Sequence, residues 1–146
     1  MVDSNWEHLL ETQEIRSAQV IASYVSYGLE PDTKSLNSEL IRLGKILLTP
    51  HMLPDKDLEW RTTEDQIFTG EIDVVIIPAL HIDRIGNRLG QGGGSYDRAL
   101  TRTKAWRVAL VYPGELSSEE IPREPHDQLV DAAATAEILV RFTRPN

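Results

Sequence analysis

The stretch Asp73-Val-Val-Ile-Ile-Pro78 is apolar without alternation, and it runs directly into a glycine-rich loop at residues 79–94. An unbroken apolar run of this length is typical of a strand that is buried on both faces, as in a parallel sheet. Similar runs occupy residues 20–25, 46–49 and 106–111, with weaker ones at residues 58–61 and 137–142. Together these runs predict the framework of one sheet.

Helical patterns separate the strand candidates. Ser4 and Glu7 form a capping-box pattern in front of a helix that is expected over residues 5–19. A second helix is expected from a cap at residue 32 or 33 to the glycine at position 44, because three leucines share one stripe: Leu36, Leu40 and Leu43. A third is expected over residues 95–104. Alternating strands and helices predict an α/β layered, Rossmann-like fold, with a mainly parallel sheet flanked by helices in a single domain, residues 1–146.

Composition excludes several classes of function. The chain contains no cysteine, so disulfides, thiolate metal sites and cysteine nucleophiles are excluded. No apolar run approaches the roughly 20 residues that cross a bilayer, and the first residues lack the basic-then-apolar order of a signal peptide. We therefore expect a soluble, cytoplasmic protein without a membrane partner. A formal net charge of −8 argues against a general nucleic-acid surface.

The charge is unevenly distributed along the chain. Residues 78–107 hold six basic and two acidic side chains, a local balance of +4, which leaves −12 for the remainder. A basic island that overlaps a glycine-rich loop is suited to a small polyanionic ligand. For Arg102 and Lys104 the alternative is a solvated basic helix face.

The glycine-rich loop follows a predicted strand and precedes a predicted helix, the context in which such loops bind phosphate. Glycines let backbone N–H groups approach an anion closely, and Arg88 adds a fork-shaped cation that can bond two phosphate oxygens. A GxGxxG pattern that starts at Gly90 fails at Ser95, and no P-loop pattern fits. A tight turn between strand and helix remains the alternative explanation for the three consecutive glycines.

Residues 77–98, IPALHIDRIGNRLGQGGGSYDR, resemble the signature of 5-formyltetrahydrofolate cyclo-ligases, also called methenyltetrahydrofolate synthetases. That signature is close to P-x-x-x-x-D-x-x-G-x-R-L-G-x-G-G-G-Y-Y-D-R. Weaker similarities occur in the same order at residues 24–33, 43–50 and 126–131. The resemblance implies conversion of 5-formyltetrahydrofolate to 5,10-methenyltetrahydrofolate, with ATP and Mg²⁺ as cofactors and the folate as the small-molecule partner.

The resemblance also implies site residues. Arg88 and Tyr96 would be catalytic, Glu30 and Tyr96 would contact the folate, and Asp97 and Asp127 would hold Mg²⁺. The nucleotide would be bound by Arg88, Leu89, Gly90, Gln91, Gly92, Gly93, Gly94, Ser95 and Tyr96. From the residues alone, Asp97 could instead neutralise a helix start, and Glu30 and Asp127 could be solvated surface residues.

Three departures from the family pattern keep an alternative function open. Family chains carry an extra stretch with a G-I-x-E-P motif before the strand that matches residues 73–78, and without it part of the folate wall would be missing or replaced. Ser95 stands where the pattern has its first tyrosine, and no Lys or Arg precedes Arg16, where the family has a basic helix. The alternative is a degenerate member that binds nucleotide or folate without catalysis. A phosphosugar-type enzyme on a similar scaffold is a third interpretation. Homo-oligomerisation is a further hypothesis, since a second copy could supply missing site walls.

Overall fold

A computed structural model describes residues 6–26, 30–79, 81–89, 95–116 and 128–142. The helices in these ranges are α1 (Glu7–Leu10), α2 (Gln13–Ser17), α3 (Lys34–Arg42) and α4 (Ser95–Leu100), with a 3-10 turn at Pro113–Glu115. The strands are β1 (Val20–Ala22), β2 (Ile46–Met52), β3 (Leu58–Thr62), β4 (Val74–Pro78), β5 (His81–Ile82), β6 (Arg88–Leu89), β7 (Trp106–Leu110), β8 (Ala132–Ala134) and β9 (Leu139–Arg141). No helix in these ranges is long and apolar enough to span a membrane.

The described strands form a seven-stranded sheet in the order β3-β2-β1-β4-β7-β8-β9 and a separate β5-β6 hairpin. Strands β2, β1, β4, β7 and β8 are parallel, and an antiparallel strand closes each edge. The chain builds outward from β1 to β2 and then returns to place β4 on the other side of β1. The predicted α/β fold with a mainly parallel sheet is confirmed, and its switch point lies between β1 and β4.

Apolar layers cover both faces of the sheet. On one face, Leu9, Ile15 and Leu36 from the first three helices pack against strand residues that include Ile21 and Ile76. On the other face, side chains from α4 and the β5-β6 hairpin join a second cluster with Val75 and Ile77. All of β4 is buried, and each fully buried isoleucine contributes about 1.5–3 kcal/mol through the hydrophobic effect. The unbroken apolar run in the sequence therefore corresponds to the centre of the sheet.

The prediction of one helix over residues 5–19 is wrong. Two short helices occupy that stretch, because Thr12 adopts an extended conformation between them and accepts a hydrogen bond from the N–H of Ile15 through its side chain (3.2 Å). A threonine that caps a helix competes with continuation of the preceding one. The predicted cap residue Ser4 lies outside the described residues.

Other boundaries also differ from prediction. Helix α4 ends at Leu100 rather than near residue 104, because the N–H groups of Arg102 and Thr103 bond the carbonyls three residues earlier (3.2 and 3.4 Å). The Leu100 carbonyl also accepts a hydrogen bond from the Arg107 guanidinium (2.8 Å). Leu43 is 47% exposed, so only Leu36 and Leu40 form the buried stripe of α3. Strand β8 escaped prediction because its three alanines carry no β-branched or aromatic signal.

Candidate functional site

The candidate site lies where strands β1, β4 and β7 end at the carboxyl edge of the sheet. Tyr24 follows β1 by two residues, Pro78 is the last residue of β4, and Tyr112 follows β7 by two residues. Ligands of open parallel sheets bind beyond this edge, at the switch point. The topology thus brings together residues that are far apart in the sequence.

Part of the loop that was predicted at residues 79–94 forms the β5-β6 hairpin, and its turn is organised by Asp83. The buried carboxylate of Asp83 accepts hydrogen bonds from the backbone N–H groups of Ile85 (3.1 Å) and Asn87 (2.9 Å), and from the side-chain amide of Asn87 (2.8 Å). An aspartate that bonds its own downstream backbone stabilises a tight turn. The turn fixes where Arg88, the next residue, begins β6.

Gly86 occupies the one position of this turn where a side chain cannot fit. Its φ is +92°, and an added Cβ would lie 2.6 Å from the carbonyl oxygen of Val130. The N–H of Val130 donates in turn to the Gly86 carbonyl (2.9 Å). The aspartate and the glycine of the D-x-x-G part of the signature therefore have structural roles. Asp83 forms the turn, and Gly86 lets the hairpin pack against residues 128–130.

Arg88 is half-buried beside the end of β4. Its Nη1 donates to the Pro78 carbonyl (3.1 Å), and its Cζ lies 5.5 Å from the centre of the Tyr96 ring. A guanidinium at this distance from an aromatic face is stabilised by a cation–π interaction. The β5-β6 hairpin and α4 thus orient the arginine together at the strand ends.

The charge of Glu30 affects the pKa values of two tyrosines. Burial raises the pKa of the Tyr24 hydroxyl, and the negative charge of Glu30 raises it further. Burial likewise raises the pKa of Tyr96, with Glu30 again raising it and Arg88 lowering it. Both phenols therefore remain protonated at neutral pH and can donate hydrogen bonds. The strand-end cluster denotes these residues and one further tyrosine: Tyr24, Glu30, Arg88, Tyr96 and Tyr112.

Tyr24 and Tyr112 were not among the predicted site residues. The Tyr24 hydroxyl donates to the Pro31 carbonyl (3.0 Å), and the Tyr112 hydroxyl donates to the Glu30 carbonyl (3.1 Å). The sequence signal for them was incomplete: Tyr112 directly follows the strand that was predicted at residues 106–111, whereas Tyr24 lay inside the strand that was predicted at residues 20–25, which ends at Ala22 in the structure. Polar aromatic residues at the carboxyl ends of parallel strands are therefore candidates for a site once the strand ends are known.

Hydrogen bonds of polar side chains link the residues after β1 to the residues around the start of α3. Thr33 donates through its hydroxyl to the Tyr24 carbonyl (2.6 Å), which also accepts from the side-chain amide of Asn37 (2.9 Å). Ser26 donates to Asp32 (3.0 Å), and Asp32 accepts from the N–H of Lys34 (2.9 Å). This network orders the approach to α3.

The Asp97 carboxylate forms a hydrogen bond with the backbone. Its Oδ1 accepts a hydrogen bond from the backbone N–H of Gln128 (3.0 Å). The contact brings Gln128 next to Asp97, whereas Asp127 and residues 90–94 lie outside the described residues. For Leu89 and Ser95 only the backbone position, in β6 and at the start of α4, is described. No group of three or more acidic or histidine side chains that could hold a metal occurs in the described ranges.

Much of the basic island serves the scaffold. Arg98 donates to the Lys56 carbonyl (2.7 Å), and Arg102 donates to both carboxylate oxygens of Asp57 (2.9 Å each). We call these contacts of α4 and the turn after it with the β2-β3 turn the α4 clamp. Arg107 donates to the Leu129 carbonyl (3.1 Å). Arg102 is thus an ion-pair partner rather than part of a freely solvated face.

A cavity of about 890 Å³ lies between β3 and α4. Its lining includes Trp60, Phe68 and Arg102, and it contains none of the residues of the strand-end cluster. The cavity and the cluster are therefore lined by different residues.

The sequence of the chain matches that of one known enzyme family. A sequence model of the 5-formyltetrahydrofolate cyclo-ligase family matches residues 3–69 and 59–136. The chain belongs to this family. It is 34% identical over 137 residues to a 5-formyltetrahydrofolate cyclo-ligase of Mycolicibacterium smegmatis, which covers 76% of this chain and 70% of the relative. Identity to the mouse 5-formyltetrahydrofolate cyclo-ligase is 36% over 157 residues, with 86% of this chain and 77% of the relative covered.

Solved structures show the same fold. The NMR structure of Aquifex aeolicus 5,10-methenyltetrahydrofolate synthetase aligns with a TM-score of 0.77 over 96% of this chain and 80% of that one. At 24% sequence identity this likeness supports the fold alone. The resemblance seen in the sequence is confirmed at the level of the family, which is a family of enzymes.

Proposed function

We propose that this cyclo-ligase family member converts 5-formyltetrahydrofolate to 5,10-methenyltetrahydrofolate with consumption of ATP. The convergence of Arg88, Tyr96 and Glu30 at the switch point of the sheet supports this function. It combines a cation for phosphate oxygens with a carboxylate and an aromatic ring for a planar, nitrogen-rich substrate.

The reaction needs activation because a formamide oxygen is a poor leaving group. Transfer of the γ-phosphoryl group of ATP to that oxygen releases ADP and gives an iminium phosphate, in which the former formyl carbon stays bonded to its ring nitrogen. The neighbouring substrate nitrogen then attacks this carbon and loses its proton, and the C–O bond breaks to release inorganic phosphate. The protein has to position the reactants and stabilise charge on the transferring group. A protein nucleophile is not required.

Arg88 is suited to charge stabilisation on the phosphoryl group. Its guanidinium is held by the Pro78 carbonyl and the Tyr96 ring, so little side-chain freedom remains to be lost on binding. Residues 89–96, which begin at the last residue of β6 and end in the first turn of α4, would supply backbone N–H donors for the triphosphate. Tyr96 would contribute its ring and its protonated hydroxyl to the folate.

Asp97 and Asp127 are proposed to hold Mg²⁺. The donor set fits this ion, which takes one or two carboxylates together with phosphate oxygens and water. The hydrogen bond that the N–H of Gln128 donates to Asp97 supports the pairing, because Asp127 is the residue directly before Gln128 in the sequence. When bound, the ion would offset phosphate charge.

Glu30 is proposed to bind N–H donors of the pterin ring. A carboxylate accepts two parallel hydrogen bonds from an amino group and an adjacent ring N–H. Its influence on the pKa values of Tyr24 and Tyr96 supports a position within the same site.

The test is a spectroscopic assay of the purified chain with 5-formyltetrahydrofolate, ATP and Mg²⁺. We expect near-ultraviolet absorbance of the methenyl product to rise with the wild type. Arg88→Ala should lower kcat/KM by at least about 100-fold while the protein stays folded. Arg42→Ala, at an exposed arginine of α3 that pairs with Glu39, is the matched control and should retain activity.

Three outcomes would overturn the assignment. Equal rates for wild type and Arg88→Ala would show that the loop does not serve the reaction. Nucleotide or folate binding without product would instead support the degenerate, non-catalytic alternative. Turnover of a substrate without ATP would point to another chemistry on the same scaffold.

A further inference from the structure

Two tyrosines hold two consecutive carbonyls in front of α3. The Tyr112 hydroxyl donates to the carbonyl of Glu30 (3.1 Å), and the Tyr24 hydroxyl donates to the carbonyl of Pro31 (3.0 Å). The tyrosines follow β7 and β1, which flank β4 in the sheet. The Glu30–Pro31 segment is therefore tied to strand ends on both sides of the switch point.

Tyr112 is well fixed at its own end. Its backbone N–H donates to the Glu115 carboxylate (2.8 Å), and its carbonyl accepts from the N–H of Glu115 (2.9 Å). Pro113 begins the 3-10 turn directly after it. The hydroxyl is thus presented from a rigid support, and it reaches a residue 82 positions earlier in the chain.

The backbone at Glu30 has little freedom once these bonds form. The residue before a proline is restricted to extended conformations, and Pro31 fixes its own φ. With both carbonyls held, the Cα–Cβ direction of Glu30 is set. The tyrosine ring of residue 112 is 46% exposed, so its hydrogen bond, rather than its burial, is the feature that acts on Glu30.

We propose that Tyr112 is a positioning residue for folate recognition, because its hydroxyl anchors the backbone of Glu30 and so orients the carboxylate toward the substrate. This inference rests on the proposed function, in which Glu30 binds the pterin. Tyr112 acts through Glu30 and has no part in phosphoryl transfer. Its loss should therefore affect binding of the folate and leave the use of ATP unchanged.

The decisive variant is Tyr112→Phe, which keeps the ring and removes the donor. Loss of one hydrogen bond should raise KM for 5-formyltetrahydrofolate by about 3- to 10-fold. The values of kcat and of KM for ATP should change by less than about twofold. In the Glu30→Ala background the same substitution should have no further effect on KM, since no carboxylate remains to be oriented.

Amide hydrogen exchange gives an independent measurement on the same proteins. Exchange in the peptide that contains residues 30–34 should become faster in Tyr112→Phe, while exchange in β4 should not change. An unchanged folate KM, or an equal increase in the Glu30→Ala background, would overturn the role of Tyr112 while the proposed function stood. A wild type that neither binds nor converts the folate would instead overturn the proposed function, and this inference with it.

Discussion

The strand-end cluster and the α4 clamp use arginines from the same basic island in different ways. Arg88 is half-buried among the tyrosines at the carboxyl edge of the sheet, where it contacts a carbonyl and an aromatic ring. Arg102 has a side chain that is 49% exposed, and its Nη1 donates to both carboxylate oxygens of Asp57 at the β2-β3 turn. Position relative to the strand ends, rather than charge, separates the residue suited to a ligand from the residue that joins two elements.

The largest expected contrast is in activity, between Arg88→Lys and Arg102→Lys. Arg88→Lys keeps the charge but loses the planar fork and the stacking on Tyr96, so kcat/KM should fall by about 10- to 100-fold. Arg102→Lys should change kcat/KM by less than about twofold, because its partner Asp57 lies in the β2-β3 turn, away from the strand-end cluster. Steady-state kinetics of both variants test this contrast.

Similar losses in the two variants would contradict the division of roles. A thermal melt of each variant provides the control, since a destabilised fold would also lower the rate. Arg88→Lys should melt close to the wild type, because the half-buried cation is retained.

A second contrast is in stability at alkaline pH and concerns the buried phenols of the cluster. The pKa of Tyr24 is raised above its ordinary value of 10.0, so the folded state holds a proton that the unfolded state releases as the pH rises. The stability due to Tyr24 is therefore complete below pH 10.0 and is lost at higher pH. At neutral pH, Tyr24→Phe should lower the free energy of unfolding by about 1 kcal/mol, because it removes the hydrogen bond to the Pro31 carbonyl.

Urea unfolding at about pH 7.5 and at about pH 10.5 provides the measurement. The wild type should lose more stability between these two conditions than Tyr24→Phe does. Tyr96 has a pKa raised in the same direction, so the variant should keep part of the alkaline loss. Identical losses in the two proteins would show that Tyr24 is accessible to water in the folded state.

The sequence predicted the sheet better than the site. Long apolar runs such as the one at β4 identify buried strands because burial on both faces leaves no room for polar residues. Three alanines at β8 carry no such signal, and a threonine cap divided the first helix in a way that apolar periodicity does not reveal. The layered α/β fold was nevertheless predicted correctly.

The site depends on contacts between residues that are distant in the chain. The signature around Arg88 could be read directly, and the structure gives physical reasons for Asp83 and Gly86 within it. The contact of Tyr112 with Glu30 joins two strand ends and leaves no local pattern. The same holds for Arg102, whose partner lies 45 residues earlier.

The smallest expected effect is on the melting temperature, and it concerns the response of the α4 clamp to acid. Arg102→Ala removes the ion pair with Asp57, and because exposed pairs contribute little, the melting temperature should fall by only about 1–3 °C near neutral pH. The pKa of Asp57 is lowered chiefly by its hydrogen bonds from Arg102. A carboxylate with a lowered folded-state pKa contributes stability above its unfolded value of 3.8 and loses that contribution as the pH falls through the folded value.

The melting difference between wild type and Arg102→Ala should therefore shrink below a pH of 3.8 and be complete at neutral pH. Asp57→Asn is the matched control: combined with Arg102→Ala it should lower the melting temperature no further than either change alone, since both remove the same pair. A difference that persisted undiminished in acid would mean that Arg102 acts through its bond to the Leu58 carbonyl (3.3 Å) instead. Added salt should also reduce the melting difference between wild type and Arg102→Ala, because the ion pair is exposed. The effect of Arg88→Lys on kcat/KM should not show the same dependence on salt.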